Sequence, residues 1–77
     1  MASRETDDQV AEAILSYLAE APEAMDTADG VTEWWLLRQQ VRVEVEAVTR
    51  VLDWLVERGV LERFGRPGQE RYRRART

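Results

Sequence analysis

The sequence predicts a small α+β domain in which three helices are followed by a C-terminal two-stranded β-hairpin. Three segments repeat apolar residues at spacings of three and four, which is the pattern of amphipathic helices. Beyond Gly59, two short runs with complementary residues flank a loop that contains glycine and proline, and this indicates a hairpin. At 77 residues, the chain is expected to form one domain over residues 1–77, near the size at which a single core only just suffices.

The first helix is predicted over residues 7–20. Thr6 suits the N-cap, because its hydroxyl can accept a hydrogen bond from the amide of Gln9 while the Gln9 side chain reaches back, which is a capping box. The apolar residues of this helix share one face, namely Val10, Ile14, Tyr17 and Leu18. Pro22 ends the helix.

The second helix is predicted over residues 32–40, with Thr32 as its N-cap. The segment before it, residues 22–30, is acidic and rich in small residues, which is typical of a loop. The aspartates of this segment lack the alternating spacing of a calcium loop, and the chain has no glycine-rich phosphate-binding motif. We therefore expect no ligand site in this loop.

The chain contains three tryptophans, more than a domain of this size usually buries completely. Trp34 lies three and seven residues before Leu37 and Val41, which places it on the buried face of the second helix. Trp35 then points about 100° away from that face. Trp54 lies off the apolar stripe of the third helix. Trp35 and Trp54 are therefore candidates for a subunit or partner interface, and packing at the periphery of the core is the alternative.

The third helix is predicted over residues 45–58, since its apolar residues form a helical stripe made of Val48, Leu52 and Leu55. Gly59 suits the left-handed residue that follows a helix. Val60 would then contact Leu55, which is the arrangement of a Schellman motif. We expect this helix end to be well defined.

The hairpin is predicted over residues 60–74, with residues 65–68 as a four-residue loop and with Pro67 and Gly68 at the centre of a type II turn. This register places complementary residues opposite each other: Glu62 and Arg71, Arg63 and Glu70, Leu61 and Tyr72, with Phe64 opposite Gln69. A shifted register would lose these pairs.

Charge divides the chain into two parts. The net charge is −9 for residues 1–57 and +5 for residues 58–77, which together give the −4 of the whole chain. Every basic residue is an arginine. The arginines of the C-terminal part can therefore form a local basic patch that attracts phosphate although the chain is acidic, or they can serve only to solvate an exposed hairpin.

The stretch from Trp34 to Arg74, WWLLRQQVRVEVEAVTRVLDWLVERGVLERFGRPGQERYRR, resembles the helix-turn-helix and wing of the winged-helix superfamily of transcription regulators. The resemblance implies a small winged-helix fold, with Val31 in a short extended stretch and the third helix as a recognition helix. It also implies a set of contacts to double-stranded DNA from the turn before that helix, from the helix and from the wing, namely Arg42, Thr49, Arg50, Arg66, Arg71, Arg73 and Arg74. The expected function is that of a DNA-binding regulator or accessory factor, and we expect a homodimer because the core is small.

The third helix departs from the family. Residues 43–57 carry four acidic residues against one arginine, and two of the glutamates stand at the leading end of the helix. Negative charge there repels phosphate. The alternative function is therefore a protein–protein interaction winged helix, which uses the acidic third helix or exposed tryptophans and does not bind DNA.

Composition argues against several other function classes. The chain contains no cysteine and no histidine, so it lacks thiolate chemistry, the most frequent metal ligand and the most frequent general base. We expect no enzymatic activity, no metal and no cofactor. No apolar run approaches the roughly 20 residues that span a bilayer, and the first residues lack the apolar segment of a signal peptide. The protein is expected to be soluble and cytoplasmic, with no membrane partner.

Overall fold

The computed structural model describes residues 6–76 and has three helices and a three-stranded antiparallel sheet. The first and third helices are α1, Asp7–Glu20, and α3, Val45–Glu57. Helix α2 covers residues 28–38 in three consecutive stretches, which are α-helical Ala28–Gly30, π-helical Val31–Trp35 and α-helical Leu36–Arg38. The strands are β1, Met25–Asp26, β2, Leu61–Phe64, and β3, Arg71–Arg74. The predicted α+β class is confirmed, and none of the helices within residues 6–76 is long and apolar enough to cross a membrane.

Strand β3 lies at the centre of the sheet, between β1 and β2. The sequence predicts the hairpin of β2 and β3 but not β1, whose Met25 pairs with Arg73 and whose Asp26 pairs with Tyr72. One face of the sheet packs on the helices through Leu61 and Tyr72, which are both buried. The hairpin is therefore part of a larger sheet that includes the segment before α2.

Helix α1 begins at the predicted capping box. The backbone amide of Thr6 donates to Oε1 of Gln9 at 3.0 Å, and the amide of Gln9 donates to the Thr6 hydroxyl at 3.3 Å. The predicted apolar face packs into the core, with Tyr17 half-buried at its edge. The helix ends at Glu20, shortly before Pro22.

Helix α2 begins at Ala28, earlier than the sequence predicted. Its N-cap is Thr27, whose hydroxyl accepts a hydrogen bond from the amide of Gly30 at 3.2 Å. Thr32, the predicted cap, lies inside the helix and donates its hydroxyl to the carbonyl of Ala28 at 2.8 Å. The sequence predicts a loop up to residue 30 because glycine is unfavourable inside a helix. In the structure, however, Gly30 is helical and buried. The helix also ends before residue 40.

A π-helical turn in α2 reverses the predicted roles of Trp34 and Trp35. The amide of Leu36 donates to the carbonyl of Val31, five residues earlier, so this turn holds one residue more than an α-helical turn. Trp35 is 2% exposed and belongs to the core, whereas Trp34 is 60% exposed. Val31 lies in the helix and not in the extended stretch expected for it. The prediction that Trp35 contacts a partner is therefore wrong.

Helix α3 buries the predicted stripe, now extended by one residue to Val48, Val51, Leu52 and Leu55. The predicted Schellman motif at its end is confirmed. Gly59 has a φ of 80°, its amide donates to the carbonyl of Val56 at 3.0 Å, and the amide of Val60 donates to the carbonyl of Leu55 at 3.0 Å.

The hairpin register differs from the predicted one by two residues. The observed partners are Leu61 and Arg74, Glu62 and Arg73, Arg63 and Tyr72, and Phe64 and Arg71. The loop therefore spans residues 65–70 instead of 65–68. A shift of two residues keeps every side chain on its predicted face, so the buried face is unchanged. The complementary pairs did not decide the register, because the observed register has ion pairs of its own, from Arg73 to Glu62 and from Arg63 to Asp53.

Candidate nucleic-acid interface

Two exposed arginines lie at the hairpin loop, residues 65–70: one is within the loop and one directly follows it. Arg66 begins the predicted type II turn: its carbonyl accepts from the amide of Gln69 at 2.8 Å, and Gly68 has a φ of 86°. Arg71 is the first residue of β3. Within residues 6–76, neither arginine has an ion-pair partner. The loop therefore offers two guanidinium groups to an anionic ligand.

The outer face of the sheet, which points away from the helices, adds a further arginine. Arg73 donates from Nε to Oε1 of Glu62 at 2.5 Å, and its guanidinium carbon lies 4.5 Å from the centroid of the Phe64 ring. Arg71 lies opposite Phe64, and Met25 lies opposite Arg73. Arg73, a predicted DNA contact, is therefore held in place, and its charge is partly neutralised.

The two predicted contacts on α3 are engaged within the protein. Arg50 donates to Asp7 at the start of α1, from Nε at 3.0 Å and from Nη2 at 2.9 Å. These hydrogen bonds hold the pKa of Asp7 below its usual value and raise the pKa of Arg50. The Thr49 hydroxyl donates to the carbonyl of Val45 at 3.0 Å. Arg42 is exposed in the segment between α2 and α3, away from the hairpin in sequence.

Acidic groups flank the amino-terminal half of α3. Glu46 is exposed in its first turn. A shallow depression between α3, the start of α2 and the hairpin loop is lined by Asp29 and Glu70, together with Thr49 and Tyr72. Negative charge at these places repels phosphate. Glu70 belongs to the hairpin loop itself, where Arg66 and Arg71 outweigh its charge, whereas Arg50, the one arginine of α3, is paired with Asp7. The amino-terminal half of α3 is therefore less favourable for a polyanion than the hairpin loop.

Asp53 of α3 accepts hydrogen bonds from both strands of the hairpin. Nη1 of Arg63 donates to Oδ1 of Asp53 at 2.7 Å, and the hydroxyl of Tyr72 donates to the same oxygen at 3.2 Å. Burial raises the pKa of Tyr72, the Arg63 guanidinium opposes this rise, and the Asp53 carboxylate adds to it. Ionisation of Tyr72 would therefore weaken the contact between the hairpin and α3.

We expect Tyr72 to make the protein sensitive to alkali. Because its pKa is raised on folding, its stabilisation is complete below the ordinary tyrosine value of about 10 and is lost as the pH rises through the folded-state pKa. Tyr72→Phe should cost about 1 kcal/mol near neutral pH, since the hydrogen bond to Asp53 is lost. Between about pH 7 and about pH 11, urea denaturation should show a smaller loss of stability in this variant than in the wild-type protein. Equal losses would mean that Tyr72 is not the titrating group, and Tyr17→Phe is the control.

Arg74 lies at the end of β3 that is far from the hairpin loop. It pairs with Leu61 and lines a depression together with Leu15 and Val60. Because a strand rises by about 3.4 Å per residue, Arg74 lies roughly 10 Å along the sheet from Arg71. The resemblance to a winged helix implies that both arginines contact DNA, whereas the structure places them at opposite ends of β3.

Two exposed apolar residues of α2 were not predicted from the sequence. Trp34 is 60% exposed and Leu37 is 64% exposed, and residues three apart lie on the same side of a helix. The sequence signal that could have indicated their exposure is Thr27, a possible N-cap, which starts the helix five residues before the predicted cap at Thr32. Trp54, a predicted partner contact, is 41% exposed, and the guanidinium carbon of Arg58 lies 4.5 Å from its ring centroid.

The candidate surface is therefore the hairpin loop with Arg66 and Arg71, beside the stacked Arg73. Of the remaining predicted DNA contacts, Thr49 lines the acidic depression beside this loop, Arg50 is paired with Asp7, and Arg74 lies at the far end of β3. Arg42 is exposed in the segment between α2 and α3. Comparisons with protein-family models, with curated proteins and with solved structures find no match to this chain, so its function has to be inferred from the geometry of these residues.

Proposed function

We propose that this chain is a winged-helix protein that binds double-stranded DNA through its hairpin loop, as a transcription regulator or accessory factor. The observation that supports this most is the pair Arg66 and Arg71, two exposed guanidinium groups that have no ion-pair partner within residues 6–76. Three helices followed by an antiparallel hairpin also have the element order of a winged helix, in which the hairpin is the wing.

The proposed contact is with the phosphate backbone or the minor groove. Arg73, stacked on Phe64, places a third guanidinium group beside Arg71 on the outer face of the sheet. Arginines on a protruding loop suit phosphates and the minor groove, where contacts carry little sequence information. Glu46 and the acidic depression beside Thr49 disfavour the insertion of α3 between phosphates. We therefore expect binding that depends strongly on salt and weakly on DNA sequence.

The double variant Arg66→Ala, Arg71→Ala tests this proposal. It removes two phosphate contacts, so binding to every duplex should weaken, and the slope of log affinity against log salt should become shallower by about 2. Fluorescence anisotropy of a labelled random-sequence duplex over a salt series measures both quantities. The double variant Arg74→Ala, Arg76→Ala is the matched control, because it removes the same charge at the other end of the sheet.

Two outcomes count against the hairpin loop as the DNA contact. If both double variants flatten the salt dependence equally, affinity follows net charge and not the position of the arginines. If the unmodified protein shows no salt-sensitive binding to duplex DNA at low ionic strength, DNA is not its ligand.

Trp34 and Leu37 favour a second candidate function, a protein–protein interaction winged helix that does not bind DNA. Tryptophan is enriched among the residues that dominate interface energies, and both side chains are more than half exposed on α2. A homodimer is the simplest such assembly. Sedimentation of the wild-type protein and of the variant Trp34→Ala, Leu37→Ala tests it: loss of a dimer in the variant supports this interface, and a wild-type monomer at every concentration removes the homodimer.

A further inference from the structure

A groove runs between the second half of α1 and the end of the sheet that is far from the hairpin loop. We call it the tail groove. It consists of two adjoining depressions that share Arg74 and Ala75. The lining of the first depression is otherwise mostly apolar and includes Leu15, Leu18 and Val60. The second depression adds Met25, Arg73 and Arg76.

Apolar side chains in the tail groove are open to solvent. Leu15 is 40% exposed and Met25 is 43% exposed, at opposite ends of the groove. Val60, which lines the first depression together with Leu15, is half-buried. Covering these side chains would remove apolar surface from water, which favours association. The phosphates of DNA cannot supply this cover, because they offer only charged and polar groups.

The rim of the tail groove is basic. Arg74 and Arg76 are exposed and have no ion-pair partner within residues 6–76, whereas Arg73 is paired with Glu62. Glu23 is the one acidic residue among the described residues that line the groove. The charge of this surface is therefore opposite to that of the chain as a whole, and it complements an acidic ligand.

We propose that the tail groove docks an acidic, amphipathic segment of a partner protein. The apolar side chains of that segment cover Leu15 and Val60, and its carboxylates pair with Arg74 and Arg76. Such a segment matches both features of the groove, the apolar floor and the basic rim. Arg73 borders both this groove and the hairpin-loop surface, but the side chains tested for each lie apart, since Arg66 and Arg71 are at the loop end of β3 and Leu15 lines the groove beside Arg74 at the other end.

A synthetic helical peptide with leucines on one face and glutamates on the other is the probe for this proposal. The full chain should bind the labelled peptide with an affinity that falls as salt rises, and should bind weakly or not at all to a peptide with lysines in place of the glutamates. Leu15→Glu and Arg74→Ala should each weaken binding, the first by about tenfold or more because it replaces an exposed apolar side chain of the groove with a charged one. Leu37→Glu is the matched control, since it makes the same change at an exposed leucine of α2, and it should alter the affinity by less than about twofold.

Three results would overturn the proposal. The first is that the lysine peptide binds as tightly as the glutamate peptide. The second is that Leu15→Glu and Leu37→Glu lose the same amount of binding. The third is that Leu15→Glu converts a wild-type dimer to a monomer, which would identify the occupant as a second copy of the chain. Circular dichroism of each variant checks that it remains folded. DNA binding is measured for Leu15→Glu and should persist. Peptide binding is measured for the double variant Arg66→Ala, Arg71→Ala and should also persist.

Discussion

Trp35→Ala should lower the free energy of unfolding by about 3–5 kcal/mol, because it removes a large side chain from the centre of the core. The Trp35 side chain is 2% exposed, and the ring of Tyr17 stacks on it with centroids 5.1 Å apart and an angle of 21° between the ring planes. A domain of this length has roughly 4–12 kcal/mol of stability in total, so the variant should lose a large part of it. Urea denaturation followed by far-ultraviolet circular dichroism measures this loss.

Trp34→Ala is the control for that experiment. It removes the same side chain from the neighbouring position, but Trp34 is mostly exposed, so the change should stay within about 0.5 kcal/mol. A larger loss from Trp34→Ala than from Trp35→Ala would mean that the simple helical spacing of Trp34 and Leu37 places the core correctly and that the π-helical turn does not.

Gly65→Ala should lower the free energy of unfolding by about 2–3 kcal/mol and distort the hairpin loop. Gly65 has a φ of 110°, a conformation that side chains rarely adopt. An added Cβ would also lie 2.9 Å from the backbone carbonyl oxygen of Gln69, which cannot move without changing the loop. Because Arg66 follows directly, the same variant should bind DNA more weakly.

Gly68→Asn separates crowding from backbone conformation. Gly68 also has a positive φ, of 86°, but a Cβ there would meet nothing within 4 Å, and asparagine tolerates this conformation better than other residues. We expect a cost below about 1 kcal/mol. Urea denaturation and amide hydrogen exchange of β2 and β3 compare the two variants, and equal costs would show that contact with Gln69 contributes nothing at Gly65.

The features that the sequence predicts correctly depend on neighbouring residues. The capping box joins Thr6 and Gln9, the Schellman motif follows from Gly59, and the type II turn follows from Pro67 and Gly68. Each is closed by hydrogen bonds within a few residues of chain, so local chemistry determines it.

The features that the sequence does not predict depend on distant contacts. The hairpin register follows the contacts of Arg63 and Tyr72 with Asp53 on α3, together with the pairing of β1. The burial of Trp35 depends on its stacking against Tyr17 of α1 and on the π-helical turn. A register shifted by two residues leaves every side chain on the same face, so the apolar pattern of the strands cannot distinguish the two registers. The apolar pattern of α2 likewise does not show where a π-helical turn adds a residue.

The same distinction applies to the candidate site. Arg66 could be predicted, because a turn within a hairpin loop places it at the surface whatever the rest of the fold does. Arg50 and Arg74 could not, since their surroundings come from α1: Asp7 pairs with Arg50, and Leu15 lies beside Arg74. The sequence therefore identifies the basic residues but not which of them share a surface.

A map of the backbone amides that respond to DNA tests the proposed interface most directly. We expect titration of the ¹⁵N-labelled protein with a random-sequence duplex at low salt to shift the amide signals of the hairpin loop, including Gly65 and Gly68, and of Arg71. The first turn of α3, at Glu46, and the indole of Trp34 should remain unchanged. Shifts that are largest in the first turn of α3 or at Trp34, with the loop unaffected, would contradict DNA binding through the hairpin loop.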